Sequence, residues 1–475
     1  MSSSVTIRAA LGHPCIASHS DLDEPHYALV DILPTTTDEN DRAALNLVFV
    51  IDSSATMHHY HFTHDEREYW MSLALSRNEL ERGKADERDA VYWTGQTLRE
   101  IQATARKPMA LVVEALKQLL TTLRPSDKIS VIAFADRLHV VFSEQEWAAF
   151  PDRCLHELDN LREQKLPTNI GTGTSMADSI SLAGQLLQRN LDAHGVNRVI
   201  IITDGIVQDP MATLANISSL QERGLALTTI GVGEEFDEEF LIRIADNSRG
   251  EYHYAADTQQ IVESLNQEVT ALQSTAVTDL LVAARGLAGA MVQEIYMVRP
   301  SMGIFDEIYT EEEWIRARVG DVSSASPASL LIQFAPPNAP DGTRQVLEAH
   351  FTWTSTGGGA DKGNTKTIVS AEYSSDPNKF GQANPIVMDL VDRFTVFKYE
   401  RDAQRALEKG DSAGAQEKLG VATKRLRAMG ENALASDMEE QISAIKKKAV
   451  DTKVLKRVKA TTRRLASNVS TSVDQ

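Results

Sequence analysis

Apolar and polar positions change their rhythm four times along the chain. Residues 1 to 43 hold two stretches, VTIRAAL and HYALVDIL, that alternate in the manner of half-buried strands. Turn-forming SHSDLDEP and PTTTDENDRA lie between and after them. At Leu45 the alternation stops. LNLVFVI is apolar almost throughout, and the further strands KISVIAFA, LHVVFS, RVIIITD, LALTTIGVG and the short EYHYA come later. Strands apolar on both faces belong in the middle of a parallel sheet covered by helices. Helical stretches fall between them: MALVVEALKQLLTTL, SMADSISLAGQLLQRNL, MATLANISSLQERG, EEFLIRIADNSRG and TQQIVESLNQEVTALQ. Gly224 and Gly250 stand where helix C-caps are expected. Strand alternating with helix predicts a doubly wound, mostly parallel α/β sheet over residues 44–274.

One segment breaks that rhythm. His58 to Lys107 is polar, rich in Arg and Glu, and reads as a helical insertion over the top of the sheet, packed down by Tyr69, Trp70, Tyr92 and Trp93. From 275 to 383 the alternation returns in TDLLVAARG, AMVQEIYMV, SLLIQFAPP, RQVLEAHFTWTS and KTIVSAEYS, with STGGGADKGN as a hairpin loop. Together with the strands of residues 1–43 these predict one antiparallel β-sandwich, which the chain leaves for the α/β domain and then rejoins. Residues 384–467 are helical, punctuated by Gly410 and Gly430, and predict a small helical bundle. The helical-repeat phrase at Ala403–Asp411 has too few copies for a solenoid. Residues 468–475 form a polar tail, expected to fray.

The 475 residues carry 42% hydrophobic and 24% charged side chains, an ordinary globular composition. The net charge of −19 disfavours general nucleic-acid binding. The exception is Lys446–Arg464, with nine Lys or Arg and one acid. It could touch nucleic acid or an anionic membrane; the preferred reading is a solvated or internally docked helix face. Two cysteines, Cys15 and Cys154, are too few for a disulfide framework and fit a reducing compartment. The N-terminus lacks a basic start followed by an apolar core, and no run reaches the ~18 apolar residues of a membrane span. The expected address is the cytoplasm.

Chemistry enters at the ends of the apolar strands. LNLVFVI runs into Asp52, Ser54 and Thr56, and VIIIT into Asp204. The hydroxyl-rich NIGTGTSMADS, residues 169–179, leads into a helix and offers Thr174, with Thr172 as an alternative. Sites in such sheets lie beyond the carboxyl ends of the strands. If the two strands are neighbours, Asp52, Ser54, Thr56, Thr174 and Asp204 converge: two carboxylates and three hydroxyls, an all-oxygen set suited to a hard cation.

This set resembles the metal-ion-dependent adhesion site of von Willebrand factor type A domains, whose pattern is D-x-S-x-S, a distant Thr and a distant Asp. Thr56 replaces the last serine and keeps the hydroxyl. The resemblance covers roughly residues 45–274. It implies Mg²⁺, with Mn²⁺ or Ca²⁺ as substitutes, held directly by Ser54, Thr56 and Thr174 and partly through water by Asp52 and Asp204. It further implies a protein partner that presents an Asp or Glu to the metal, with no enzymatic activity. The flanking strands and helices resemble bacterial members in which a split strand domain holds the A domain. The expected role is an intracellular scaffold or assembly factor.

Blander and rival readings stand beside this one. Asp52, Ser54 and Thr56 alone would pass for a helix N-cap. DSSAT resembles the D-x-D-x-T of haloacid-dehalogenase-type phosphatases, but Ser54 stands where a proton-donating Asp is needed, which leaves a metal-dependent hydrolase as the weaker alternative. An accessory subunit of an AAA-type ATPase, as in chelatases, is the other. His58, His59, His61 and His64 could bind Zn²⁺, yet their spacing fits no zinc motif and a surface helix start is preferred.

Overall fold

The computed structural model describes residues 4–466 except 20–24, 36–41, 61, 63, 86–87, 193–194, 224, 234–235, 249, 256–257, 306–308, 312, 357–361, 381 and 448–451. The expectations for Gly224, the centre of the STGGGADKGN loop and the tail 468–475 lie outside the described residues.

A six-stranded sheet forms the α/β body. From edge to edge it runs Tyr252–Ala255, Ala226–Val232, Val196–Thr203, Leu45–Asp52, Lys128–Phe134 and Leu138–Phe142. All pairings are parallel except that of the last strand, which returns antiparallel. Every residue of the central strand Leu45–Asp52 is buried, because helices cover both faces. Leu45, Leu47, Phe49 and Ile51 pack towards helices Pro108–Leu120, Pro151–Arg162 and Thr258–Gln273. Val48 and Val50 face Ala177–Arg189, Pro210–Glu222 and Glu238–Ser248. The period-2 pleat thus divides one apolar run between two helical layers.

Two further sheets make the sandwich. One orders Ser4–Leu11, His26–Thr35, Ala328–Ala335, Met291–Arg299 and Gly303–Ile304. The other orders Tyr309–Glu311, Trp314–Ser323, Thr275–Gly286, Gly342–Ser355, Lys362–Ser374 and Cys15–Ala17. The early strand His26–Thr35 pairs with the late strand Ala328–Ala335, so the chain does leave and rejoin this body. The expectation of purely antiparallel pairing is corrected at one place: Cys15–Ala17 lies parallel to Lys362–Ser374. Val30, Ile32, Val282, Leu330, Phe334, Leu347 and Phe351 fill the space between the sheets.

Four helices follow: Pro385–Glu408, Ser412–Ala428, Asn432–Lys447 and Thr452–Arg463. Gly410 and Gly430 end the first two with φ of 77° and 82°, a left-handed turn that a side chain would strain. Phe394 of the first helix stacks on Tyr296 at 4.3 Å between centroids, which seats the helices on the outer face of the first sandwich sheet. Gly250 stands at the C-terminus of helix Glu238–Ser248, as expected, and its N–H donates to the Ala245 carbonyl at 3.0 Å. A Cβ there would come within 2.0 Å of the Leu227 carbonyl oxygen, so close backbone approach requires glycine.

The insertion is not wholly helical. It carries helices His64–Arg77 and Gly95–Thr104 around an antiparallel hairpin of Leu80–Ala85 and Arg88–Trp93. Its aromatic residues do not all pack it down either, since Tyr69 and Tyr92 are exposed.

The basic C-terminal stretch is used inside the molecule. Lys456 Nζ donates to the Phe236 carbonyl at 2.6 Å and sits 3.6 Å above that ring's centroid. Arg463 pairs with Asp246 at 2.5 Å, and Lys459 lies 3.9 Å from Glu238 and from Glu239. The last helix is therefore docked on the α/β body. No helix among the described residues is long and apolar enough to cross a membrane.

Candidate metal centre

Strands Leu45–Asp52 and Val196–Thr203 are parallel neighbours with Ile51 opposite Ile202, so Asp52 and Asp204 emerge at the same edge. Asp52 is fully buried and Asp204 nearly so. Ser54 and Thr56 follow Asp52 on a turn held by the Ser53 N–H donating to the Phe134 carbonyl at 2.7 Å. Thr174 lies in the loop that enters helix Ala177–Arg189.

The side chains meet. Thr56 Oγ1 donates to Asp204 Oδ1 at 2.8 Å, Ser54 Oγ lies 3.1 Å from Thr56 Oγ1, and Ser54 Oγ lies 3.5 Å from Asp204 Oδ1. The Ser54 N–H donates to Asp52 Oδ1 at 2.8 Å. Thr174 is buried and faces the same turn: a Cβ built on Gly205 would lie 3.0 Å from Thr174 Oγ1 and 3.6 Å from Asp52 Oδ2. Thr172 is exposed, and its backbone is tied to Asp136 and Ala55. The structure thus brings together Asp52, Ser54, Thr56, Thr174 and Asp204 and leaves Thr172 outside.

Burial, and then the nearby Asp204 carboxylate, push the Asp52 carboxyl up to about 7. The groups that pull it back are neutral donors, the Thr203 hydroxyl and Ser54. Two carboxylates held at close quarters in a dry edge are the arrangement a divalent cation relieves. The donors are carboxylate and hydroxyl oxygens alone, which fits Mg²⁺, Mn²⁺ or Ca²⁺ better than a soft metal.

Three supporting residues escaped the sequence reading. Thr203 Oγ1 donates to Asp52 Oδ2 at 2.5 Å and accepts the Gly205 N–H at 3.2 Å. Asp209 accepts the Met176 and Ala177 N–H groups at 2.9 and 3.1 Å, fixing the Thr174 loop. Asp136 accepts the Thr172 N–H at 2.9 Å from the other side. Thr203 had a signal, as a hydroxyl directly before Asp204 at the end of an apolar strand.

Among the described residues the histidine cluster forms no zinc site. His58 is buried with Nε2 3.0 Å from Ser53 Oγ, and burial and Lys107 lower it to about 4, so it is neutral. His61 and the His64 side chain lie outside the described residues. Among the described residues no three His, Cys, Asp or Glu converge as a metal site.

A central parallel sheet whose carboxyl edge gathers this oxygen set is the arrangement of a von Willebrand factor type A domain, and the model of that family matches residues 102–268. A second family model, the Sll0103-like C-terminal alpha-helical domain, matches residues 385–468. Residues 102–268 thus belong to a von Willebrand factor type A domain and residues 385–468 to an Sll0103-like helical domain. Such domains are generally protein-interaction modules. The chain is 27% identical over 179 residues to the uncharacterized protein YfbK of Escherichia coli, a match spanning 36% of this chain and 29% of that relative. Its fold is similar to that of a von Willebrand factor type A protein from Catenulispora acidiphila, with TM-score 0.69, 15% identity and coverage of 98% and 97% of the two chains. It also resembles the ArnB paralog VWA2 from Sulfolobus acidocaldarius, with TM-score 0.53, 14% identity and coverage of 99% and 100%. The family match begins inside the insertion, so the strand carrying Asp52 precedes it.

Proposed function

We propose that this protein is a cytoplasmic scaffold or assembly factor that binds a partner protein through a divalent cation, Mg²⁺ in the first instance. The observation that carries the reading is the meeting of Ser54, Thr56 and Asp204 oxygens within 3.5 Å at the end of a buried strand pair. Ser54, Thr56 and Thr174 would hold the cation directly, and Asp52 and Asp204 would neutralise it through water. The bound cation would supply a Lewis-acid contact for an Asp or Glu of the partner. The protein's own part is to hold the oxygens in place, which Thr203, Asp136 and Asp209 do by hydrogen bonds. Ser54 stands where the phosphatase pattern needs a proton-donating Asp, which favours binding over hydrolysis. The free, buried Cys15 and Cys154 support a reducing compartment.

Isothermal titration of Mg²⁺ and Mn²⁺ tests this directly. We expect uptake by the wild-type chain, and loss of uptake in Asp52→Ala and in Thr174→Ala with circular dichroism unchanged. Partner capture should vanish with the same variants and in EDTA. Unaltered metal uptake in both variants would sink the assignment.

A further inference from the structure

The loop that carries Asp204 also carries apolar side chains in water. Ile206 is 65% exposed and Met211 79% exposed. Ile206 is two residues from Asp204, within ~7 Å along the chain. Met211 is the second residue of the helix Pro210–Glu222, whose N-cap Asp209 holds the loop of Thr174. Neither exposure comes from a loose segment. Val207 between them is buried, and the Gln208 N–H donates to the Thr174 carbonyl at 2.9 Å. Asp209 clamps two further N–H groups. The backbone is pinned on both sides, and it is pinned so as to present Ile206 and Met211 outward. Exposed apolar side chains beside a binding site mark the surface that a partner covers.

Charge narrows the partner. At a net −19 the chain repels strongly acidic surfaces, and the oxygen set adds two carboxylates at the point of contact. A cation there admits one carboxylate, while a cluster of acids would meet like charge. We propose, resting on the metal-dependent reading above, that this face binds a partner segment in which a single Asp or Glu lies between aliphatic side chains, and that those side chains pack on Ile206 and Met211. Metal contact supplies the dependence on the cation. The apolar pair supplies specificity, because a polar or acidic neighbour in the partner leaves Ile206 and Met211 wet or brings repulsion.

The test uses the full chain and labelled synthetic peptides with one central Asp, flanked by Leu, by Ser or by Glu, read by fluorescence anisotropy in Mg²⁺ and in EDTA. The Leu-flanked peptide should bind at least ~10-fold tighter than the others, a gap of ~1.4 kcal/mol, and only with the metal present. The double variant Ile206→Ser, Met211→Ser should keep its calorimetric Mg²⁺ uptake and lose that preference. Met291→Ser, which removes an equally exposed side chain from the sandwich, should keep both. Peptides that bind without regard to their flanks, a preference that survives the double variant, or no binding of the Leu-flanked peptide to the metal-loaded protein each overturn the inference and leave the metal site standing. Absence of Mg²⁺ uptake by the wild-type chain overturns the metal reading itself.

Discussion

Thr203 shows how much of the candidate site rests on a side chain outside the five oxygens. Its hydroxyl gives the buried Asp52 carboxylate a donor at 2.5 Å and takes the Gly205 N–H in return. Thr203→Val keeps the shape and removes the donor. A buried carboxylate that loses one hydrogen bond should cost about 1–3 kcal/mol, read as a lower urea midpoint with an unchanged m-value. Equal midpoints for variant and wild type would mean that Asp52 is satisfied without it. The same residue explains what was legible here. The ligand candidates stand at the ends of apolar strands or in a hydroxyl-dense loop, where the chain announces them. Asp136 and Asp209 act through contacts made across the fold, to Thr172, Met176 and Ala177, and such partners have no local pattern. The sequence prefers Thr174 over Thr172 as the nearer to the helix start, and Thr174 is the buried one of the two.

At the level of elements, the last helix and helix Glu238–Ser248 meet through buried charge. Glu238 is buried, accepts the Tyr252 hydroxyl at 3.0 Å, and lies near Lys459, Lys456 and Glu400. Burial raises its carboxyl from 4.5 to about 7, against the pull of Lys459. A carboxyl raised in the folded state stabilises the fold most below its unfolded value, and that contribution fades as the pH rises from about 4.5 through about 7. Glu238→Gln is neutral throughout. Thermal melts between pH 4.5 and 7.5 should therefore show the wild type losing stability relative to Glu238→Gln as pH rises, by at most ~1.4 kcal/mol per unit. Parallel profiles would place the titration elsewhere, for instance at Glu239, Glu251 or Glu400, which burial also raises. Apolar runs such as LNLVFVI and VIIIT made the middle strands of the central sheet readable. The elements that were missed have weaker patterns. LERGKA and RDAVYW pair as a hairpin though charge interrupts their alternation. Helices Glu144–Ala149 and Pro151–Arg162 are short or poor in apolar residues, and their signals were a capping box at Ser143 and Glu146 and a Pro at the first turn. Strand Trp314–Ser323 alternates, buried against exposed, over its first half, and its sequence carries the strand pattern.

At the scale of the whole molecule, the question is what couples the α/β body to the sandwich that it interrupts in sequence. The return of the chain to a shared sandwich was legible because both sets of strands alternate; the ties between the bodies were not, since each joins residues far apart. Arg198, at the start of strand Val196–Thr203, pairs with Asp321 of the sandwich at 3.0 Å and donates to Thr228 Oγ1 at 3.3 Å. The pair lies in the wall of a cavity of about 820 Å³ that is also lined by Arg463 of the last helix. Arg198 is buried, and its charge acts on two carboxylates: Asp321, its ion-pair partner, and the buried Glu268. Burial raises the Glu268 carboxyl, but His253 and Arg198 hold it below its ordinary value. The two ways of breaking the pair are therefore unequal. Asp321→Ala removes a partner that keeps 20% exposure and leaves the guanidinium facing Glu268, and should cost about 1–2 kcal/mol. Arg198→Met takes the cation from a buried carboxylate as well as from Asp321, and should cost about 3 kcal/mol. Urea unfolding should rank Arg198→Met below Asp321→Ala. The reverse order would mean that Asp321, and not Glu268, is the carboxylate that depends on Arg198.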